Sequence, residues 1–129
     1  MRVVIIGGVA GGMSAATRLR RLSEETEIVV LERSGYVSYA NCGLPYFVGG
    51  VIEDESDLLL QTPDSLHQRF NLDVRVRSEV TAITPATKSL TVRTLDEGAD
   101  YTLTYDVLVL SPGAQPVIPP LPGIERALP

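Results

Sequence analysis

An α/β fold built on a parallel sheet is predicted by two continuous apolar runs, a helical pattern between them, and a third apolar run near the C-terminal end. Residues 2–6 (Arg-Val-Val-Ile-Ile) and 28–31 (Ile-Val-Val-Leu) are short and rich in β-branched side chains. Runs of this kind, without polar alternation, belong to strands buried on both faces, which is where parallel sheets place them. From Gly11 to about Leu22 the spacing is helical. Ala15, Leu19 and Leu22 share one face, while Ser14, Thr17, Arg18 and Arg21 share another. Strand, helix and strand together form a βαβ unit.

The segment from Tyr36 to Gly50 starts irregular and turns helical from Asn41 to about Val48, with Asn41 as N-cap and Gly49-Gly50 as the stop. Thr62-Pro63-Asp64 opens a further helix over Asp64 to Arg69, with proline in its first turn. The remainder is β-rich. Val74 and Val76 alternate in a short strand, Val80 to Ile83 follow, and residues 89–94 and 101–105 pair about the turn Asp96-Glu97-Gly98, giving a β-meander. Val107-Leu108-Val109-Leu110 predicts another fully buried strand, broken by Ser111-Pro112-Gly113. Pro116, Pro119, Pro120, Pro122 and Pro129 predict an extended linker. The expected organisation is a domain over residues 1–115 and a linker over 116–129 leading toward a further domain. No internal repeat interrupts this pattern.

Bulk properties narrow the function classes. A length of 129 residues suits one domain with its own core. The net charge of −5 argues against nucleic acid and anionic membrane surfaces as partners. No apolar run approaches the ~20 residues of a membrane helix, and Gly7-Gly8 ends the N-terminal run too early for a signal peptide. A single cysteine forms no internal disulfide and points to a reducing, cytoplasmic setting. Metal binding lacks any cluster of ligands, and the one histidine, His67, has no neighbours that make it a base or a ligand.

The first strand delivers its end to Gly7-x-x-x-Gly11-Gly12, where the helix begins. Gly7 permits a tight turn and Gly12 close helix–strand packing, so that the helix N-terminus points free N–H groups and its positive dipole end at a pyrophosphate. The middle glycine of the dinucleotide fingerprint is replaced by Val9. Glu32 compensates: it ends the second strand about 20 residues after the last glycine, where an acid accepts hydrogen bonds from an adenosine ribose. The sequence thus specifies a Rossmann-like FAD/NAD(P)-binding domain, a parallel sheet with helices and a β-meander. The fingerprint alone leaves FAD and NAD both open, and Glu32 disfavours a ribose 2′-phosphate at this site.

Cys42 lies in Ser38-Tyr39-Ala40-Asn41-Cys42-Gly43-Leu44-Pro45-Tyr46, at the predicted start of a helix. Such a position favours the thiolate form of a cysteine. A buried, inert cysteine is the alternative reading, and from these residues alone both stand.

Three segments together carry a family resemblance: residues 7–16 (GGVAGGMSAA), residues 38–46 (SYANCGLPY) and residues 105–114 (YDVLVLSPGA). They resemble the single-cysteine branch of the pyridine nucleotide-disulfide oxidoreductases, and within it the coenzyme A-disulfide reductases and NADH-dependent persulfide reductases, some of which are fused to a C-terminal rhodanese domain. The resemblance covers nearly the whole chain. The cysteine segment is its most specific part, because two-cysteine relatives carry a second cysteine a few residues away. Val9 is the usual departure in this branch.

The resemblance implies that Gly7, Ala10, Gly11 and Gly12 hold the FAD pyrophosphate and Glu32 the adenosine ribose, with Arg33 beside it. It places the backbone of Val80 at the adenine and Ser111-Pro112-Gly113 over the FAD. Asn41 and Cys42 would lie against the flavin, Cys42 being the redox-active nucleophile. Coenzyme A contacts fall on Ser14, Arg18, Arg21, Ser38 and Asn41; without the resemblance, a solvated basic helix face is the favoured reading of the arginines. The implied reaction passes electrons from NADH or NADPH, bound in a domain outside these residues, through FAD to a disulfide or persulfide at Cys42, in a homodimeric enzyme. Two alternatives remain: an NADH oxidase or peroxidase using a Cys42 sulfenic acid, and a nucleotide-binding fragment with no turnover of its own. The resemblance further implies that residues 1–115 are the N-terminal portion of a discontinuous FAD-binding domain completed by a later segment, and the isolated chain is expected to be inactive.

Overall fold

A computed structural model of the chain describes residues 1–115 and 117–126. In chain order its elements are β1 (Arg2–Ile6), α1 (Ala10–Leu22), β2 (Glu27–Leu31), α2 (Leu44–Val48), α3 (Pro63–Phe70), β3 (Asp73–Arg75), β4 (Ser78–Thr84), β5 (Ser89–Thr94), β6 (Asp100–Thr104) and β7 (Val107–Leu110). β3, β2, β1 and β7 lie side by side in that order, all parallel, while β4, β5 and β6 form a separate antiparallel meander. The expected α/β class, with its parallel sheet and meander, is what the chain adopts.

The absence of polar alternation in β1 and β2 has a direct structural cause. Val3, Ile5, Ile28 and Val30 face Met13 and Ala16 of α1 together with Val37, Leu66 and Leu72. The intervening Val4, Val29 and Leu31 face Leu90, Val92 and Leu103 of the meander. Helices cover one side of the sheet and the meander covers the other, so both faces of each strand require apolar side chains.

Several boundaries and faces differ from expectation. Leu22 is 68% exposed rather than packed. The buried row of α1 is Gly12, Met13 and Ala16, with Leu19 beside it. Leu22 falls about a third of a turn off the centre of that row, because the small Gly12 and Ala16 draw the helix in along their own side. Thr17, expected on the polar stripe, is half-buried and donates its hydroxyl to the Met13 carbonyl at 2.8 Å. β7 is not buried on both sides: Val107 and Leu110 are 45% and 61% exposed. Among the described residues it pairs with β1 alone and forms the sheet edge.

The expected helix from Asn41 splits into a 3₁₀ turn, Asn41–Gly43, followed by the five-residue α2. Asn41 is not its cap; Ala40 occupies that position and offers no side-chain hydrogen bond. The helix after Thr62 is one residue longer at each end than expected. Thr62 and Ser65 form a reciprocal capping box, Pro63 is the first helical residue, and Asn71 closes the helix in the left-handed region at φ 48°. In the proline-rich segment, residues 117–121 have no regular structure and Ile124–Arg126 form a 3₁₀ turn. Pro116 and Ala127–Pro129 of the expected linker lie outside the described residues.

One structural side chain carried no recognisable sequence signal. Arg20 donates from Nε to the Phe70 carbonyl (2.8 Å), from Nη2 to Asn71 (2.9 Å) and from Nη1 to Ser23 (3.2 Å). It thereby ties the ends of α1 and α3 together. Arg20→Ala should lower stability by about 1–3 kcal/mol, the cost of unpairing part-buried carbonyls from a cation. Arg20→Lys should recover little of that, because an ammonium lacks the planar fork. Urea denaturation tests this; unchanged midpoints in both variants would show the clasp to be energetically idle.

Candidate functional site

The carboxyl ends of β1, β2 and β7 meet the start of β4 at a cleft of about 350 Å³. Clefts beyond the carboxyl ends of strands are where open α/β sheets bind ligands. Of the residues expected to hold a cofactor, Gly7, Glu32, Arg33, Val80, Pro112 and Gly113 line this one cleft. Ala10, Gly11 and Gly12 are the first turn of α1, which starts directly after the Gly7 turn.

Two glycines are fixed by geometry. Gly7 has φ +100°, and a Cβ there would stand 1.9 Å from the Ser111 carbonyl oxygen. A Cβ on Gly12 would stand 1.8 Å from the Gly7 carbonyl oxygen. Ser111 closes the turn from β7, donating its N–H to the Ile6 carbonyl at 2.8 Å. The α1 N-terminus is left open by the protein itself. Val9 at the N-cap gives no side-chain hydrogen bond, and no acidic residue lies in the first turn. The first-turn N–H groups and the positive dipole end are therefore available to an anion.

Glu32 is half-buried and occupied on both oxygens: Oε2 accepts the Gly8 N–H at 2.7 Å and Oε1 the Ser34 N–H at 2.8 Å. Arg33 is exposed, with Glu79 3.7 Å away. These backbone bonds to Glu32 have no sequence signature, since they exist only once the glycine turn is folded against the end of β2.

Cys42 is a free, exposed thiol in the 3₁₀ turn before α2. Its segment is anchored on two sides. The Ser38 N–H donates to the Gly8 carbonyl at 2.9 Å, which ties it to the glycine turn. The Leu60 N–H donates to Ser38 (3.3 Å), the Ala40 N–H donates to Leu58 (2.8 Å), and Tyr39 and Leu59 form an antiparallel bridge. Asn41 is exposed beside Cys42, and neither residue lines the cleft described above.

Ser14, Arg18 and Arg21 are all exposed on α1, and neither arginine has an acidic partner among the described residues. Arg21 also shares a second cleft with Arg69 and Phe70, between the last turns of α1 and α3. Arg69, whose guanidinium lies 5.6 Å from the centre of the Phe70 ring, has no distinctive sequence signal, because a basic residue in a last helical turn reads first as a complement to the dipole. Among the described residues no group of three or more His, Cys, Asp or Glu is placed to hold a metal, and no helix is long and apolar enough to cross a membrane.

Comparison with known proteins places these features in context. A family model described as pyridine nucleotide-disulphide oxidoreductase matches residues 1–128. The coenzyme A disulfide reductase of Staphylococcus haemolyticus is 37% identical over 113 residues, covering 88% of this chain and 26% of that relative. The structure of reduced Bacillus anthracis CoADR-RHD is 54% identical with a TM-score of 0.92, covering 96% of this chain and 22% of the other. That of the NAD-dependent persulfide reductase from A. fulgidus is 38% identical with a TM-score of 0.91, covering 97% and 23%. The chain thus spans about a quarter of the length of the relatives it matches.

Proposed function

Because the chain belongs to the pyridine nucleotide-disulphide oxidoreductase family, we propose that it is the FAD-binding N-terminal portion of an NAD(P)H-dependent flavoprotein that reduces coenzyme A disulfide or a persulfide through Cys42. One observation carries the reading. The only thiol of the chain lies exposed on a segment whose Ser38 N–H is bonded to the glycine turn at 2.9 Å. A nucleotide on that turn and a thiol on that segment are thereby brought to the same end of the sheet.

The residues fit FAD. The uncapped start of α1 suits a pyrophosphate, and a Cβ at Gly7 or Gly12 would collide with the backbone that forms the cradle. Glu32, which lines the cleft beside the glycine turn, suits a ribose, and the backbone of Val80 an adenine edge. When bound, FAD supplies the electron pair that returns an oxidised Cys42 to its thiol, chemistry that no side chain here offers. Cys42 supplies the sulfur. Its thiolate attacks one sulfur of the substrate disulfide, the new S–S bond forms as the old one breaks, and the second half of the substrate leaves as a thiolate. Ser14, Arg18, Arg21, Ser38 and Asn41 are assigned to coenzyme A, whose phosphates suit a pair of guanidinium groups.

In this reading residues 1–115 are the FAD-binding part and residues 116–129 lead toward an NADH- or NADPH-binding domain of a longer, cytoplasmic, homodimeric enzyme. The names of the relatives at 37–54% identity support disulfide or persulfide reduction over oxygen or peroxide reduction. Anaerobic NADH titration of the flavin spectrum of that enzyme tests the proposal. Uptake of more than one electron pair per flavin is expected, since a thiol-based centre must accept the second. Uptake of a single pair would leave a simple flavin oxidoreductase.

A further inference from the structure

We propose that Glu32 is also a positioning residue for the Cys42 segment, acting through the glycine turn rather than through a ligand. The path is short and continuous. Glu32 Oε1 holds the Ser34 N–H at 2.8 Å and Oε2 holds the Gly8 N–H at 2.7 Å. Gly8 in turn accepts the Ser38 N–H at 2.9 Å. Gly8 is therefore held at both of its backbone polar groups, by the acid on one side and by the thiol segment on the other.

Packing leaves Gly8 little independent movement. A Cβ on Gly8 would stand 2.7 Å from Val37 Cγ1 and 3.1 Å from Glu32 Cβ, so its backbone is wedged between these two residues. Val37 is buried at 1% exposure and immediately precedes Ser38. Ser38 itself sits at φ +50°, a left-handed geometry that a non-glycine residue keeps only where its surroundings impose it. The imposing contacts are the Gly8 carbonyl on its N–H and the Leu60 N–H on its carbonyl. Four residues further on is Cys42.

An ionised carboxylate has about four acceptor positions. Two amides use half of them and leave the rest for ribose hydroxyls, so the locking role and the nucleotide role coexist. The bonds of the lock run between protein groups alone, from Glu32 to Gly8 and Ser34 and from Gly8 to Ser38. The inference takes its functional meaning from the reading of Cys42 as the reacting thiol, but its test contains no flavin and does not depend on the cofactor assignment.

Amide hydrogen exchange on the 129-residue chain, with no flavin or nucleotide added, compares wild type with Glu32→Gln. Glutamine keeps one carbonyl oxygen but turns an NH₂ toward the second N–H, so one bond is lost and the other loses its charge assistance. Protection of the Ser38, Ala40 and Gly43 amides should fall about tenfold, the change in a local opening equilibrium that such a loss produces. Protection within β5 and β6 should hold. Unchanged protection at these three amides would restrict Glu32 to ligand binding and overturn the proposal. A fall shared equally by β5 and β6 would overturn it too, since that is general destabilisation. A wild-type measurement covers a variant that does not fold: where the β1 and β2 amides are protected, the Gly8 and Ser34 amides, outside any strand ladder, should exchange slowly, and free exchange of both beside a protected sheet would refute the lock.

Discussion

Gly12→Ala is expected to cost at least about 3 kcal/mol of stability, a loss from the upper part of the range for single substitutions. A Cβ on Gly12 would lie 1.8 Å from the Gly7 carbonyl oxygen, with Ile5 Cγ2 at 3.2 Å. No side-chain rotation relieves a clash between a Cβ and a backbone carbonyl. Either α1 lifts from β1, or the Gly7 turn opens. Lifting α1 separates Met13 and Ala16 from Val3 and Ile5, which are between 0% and 6% exposed, and a close-packed core resists even small displacement. Opening the turn moves Gly7 against Ser111, whose carbonyl is already so close that a Cβ on Gly7 would stand 1.9 Å away. Both routes damage the proposed cofactor cradle, so FAD affinity should fall along with stability.

Gly11→Ala gives the contrast. Gly11 is exposed, and a Cβ there would meet only Ser111, at 3.4 Å from Oγ and 3.6 Å from Cβ. Helix propensity favours alanine by up to about 1 kcal/mol. Its stability should therefore hold or rise, while a methyl group beside the open helix end hinders close approach of a phosphate. Urea denaturation and flavin titration of the two variants separate the effects. Unaltered stability in Gly12→Ala would show that the turn yields more easily than its contacts imply.

What the sequence made legible divides along a physical line. β1, β2, α1 and the meander were readable because each is specified by its own residues: apolar runs for strands covered on both faces, helical periodicity, and a turn at Asp96-Glu97-Gly98 between β5 and β6. The gathering of Gly7, Glu32, Val80, Pro112 and Gly113 at one cleft was accessible through the spacing of glycine turn and acid and through the family resemblance. What was misread depends on partners that no local pattern declares. Leu22 looks like an inward residue until Gly12 and Ala16 set where the helix touches the sheet. β7 has the composition of a central strand, yet among the described residues β1 alone pairs with it and Val107 and Leu110 are exposed. Asn41 has the chemistry of a cap, yet Ala40 occupies the position, because the antiparallel bridge of Tyr39 to Leu59 dictates where the chain turns. The Arg20 clasp and the two amides on Glu32 are tertiary contacts of the same kind.

Cys42→Ser, made in the full-length enzyme, is expected to lower NAD(P)H-dependent disulfide reduction by at least about a thousandfold, as loss of a catalytic nucleophile does. A serine hydroxyl is barely ionised at neutral pH and forms no bond to sulfur that a two-electron donor can reopen. The flavin should still bind, and anaerobic NADH titration should now take up one electron pair per flavin where the wild type takes up more. Local structure supports a clean experiment. Cys42 is exposed and its 3₁₀ turn buries no residue, so exchanging sulfur for oxygen should alter stability by no more than about 0.5 kcal/mol. The segment's anchors, Ser38 on Gly8 and Ala40 on Leu58, are backbone bonds that the substitution leaves in place. A fall in turnover with unchanged flavin content and unchanged melting would then belong to the sulfur itself. Equal electron uptake by both proteins, with disulfide reduction retained in the serine variant, would make Cys42 a bystander and move the chemistry to the flavin alone.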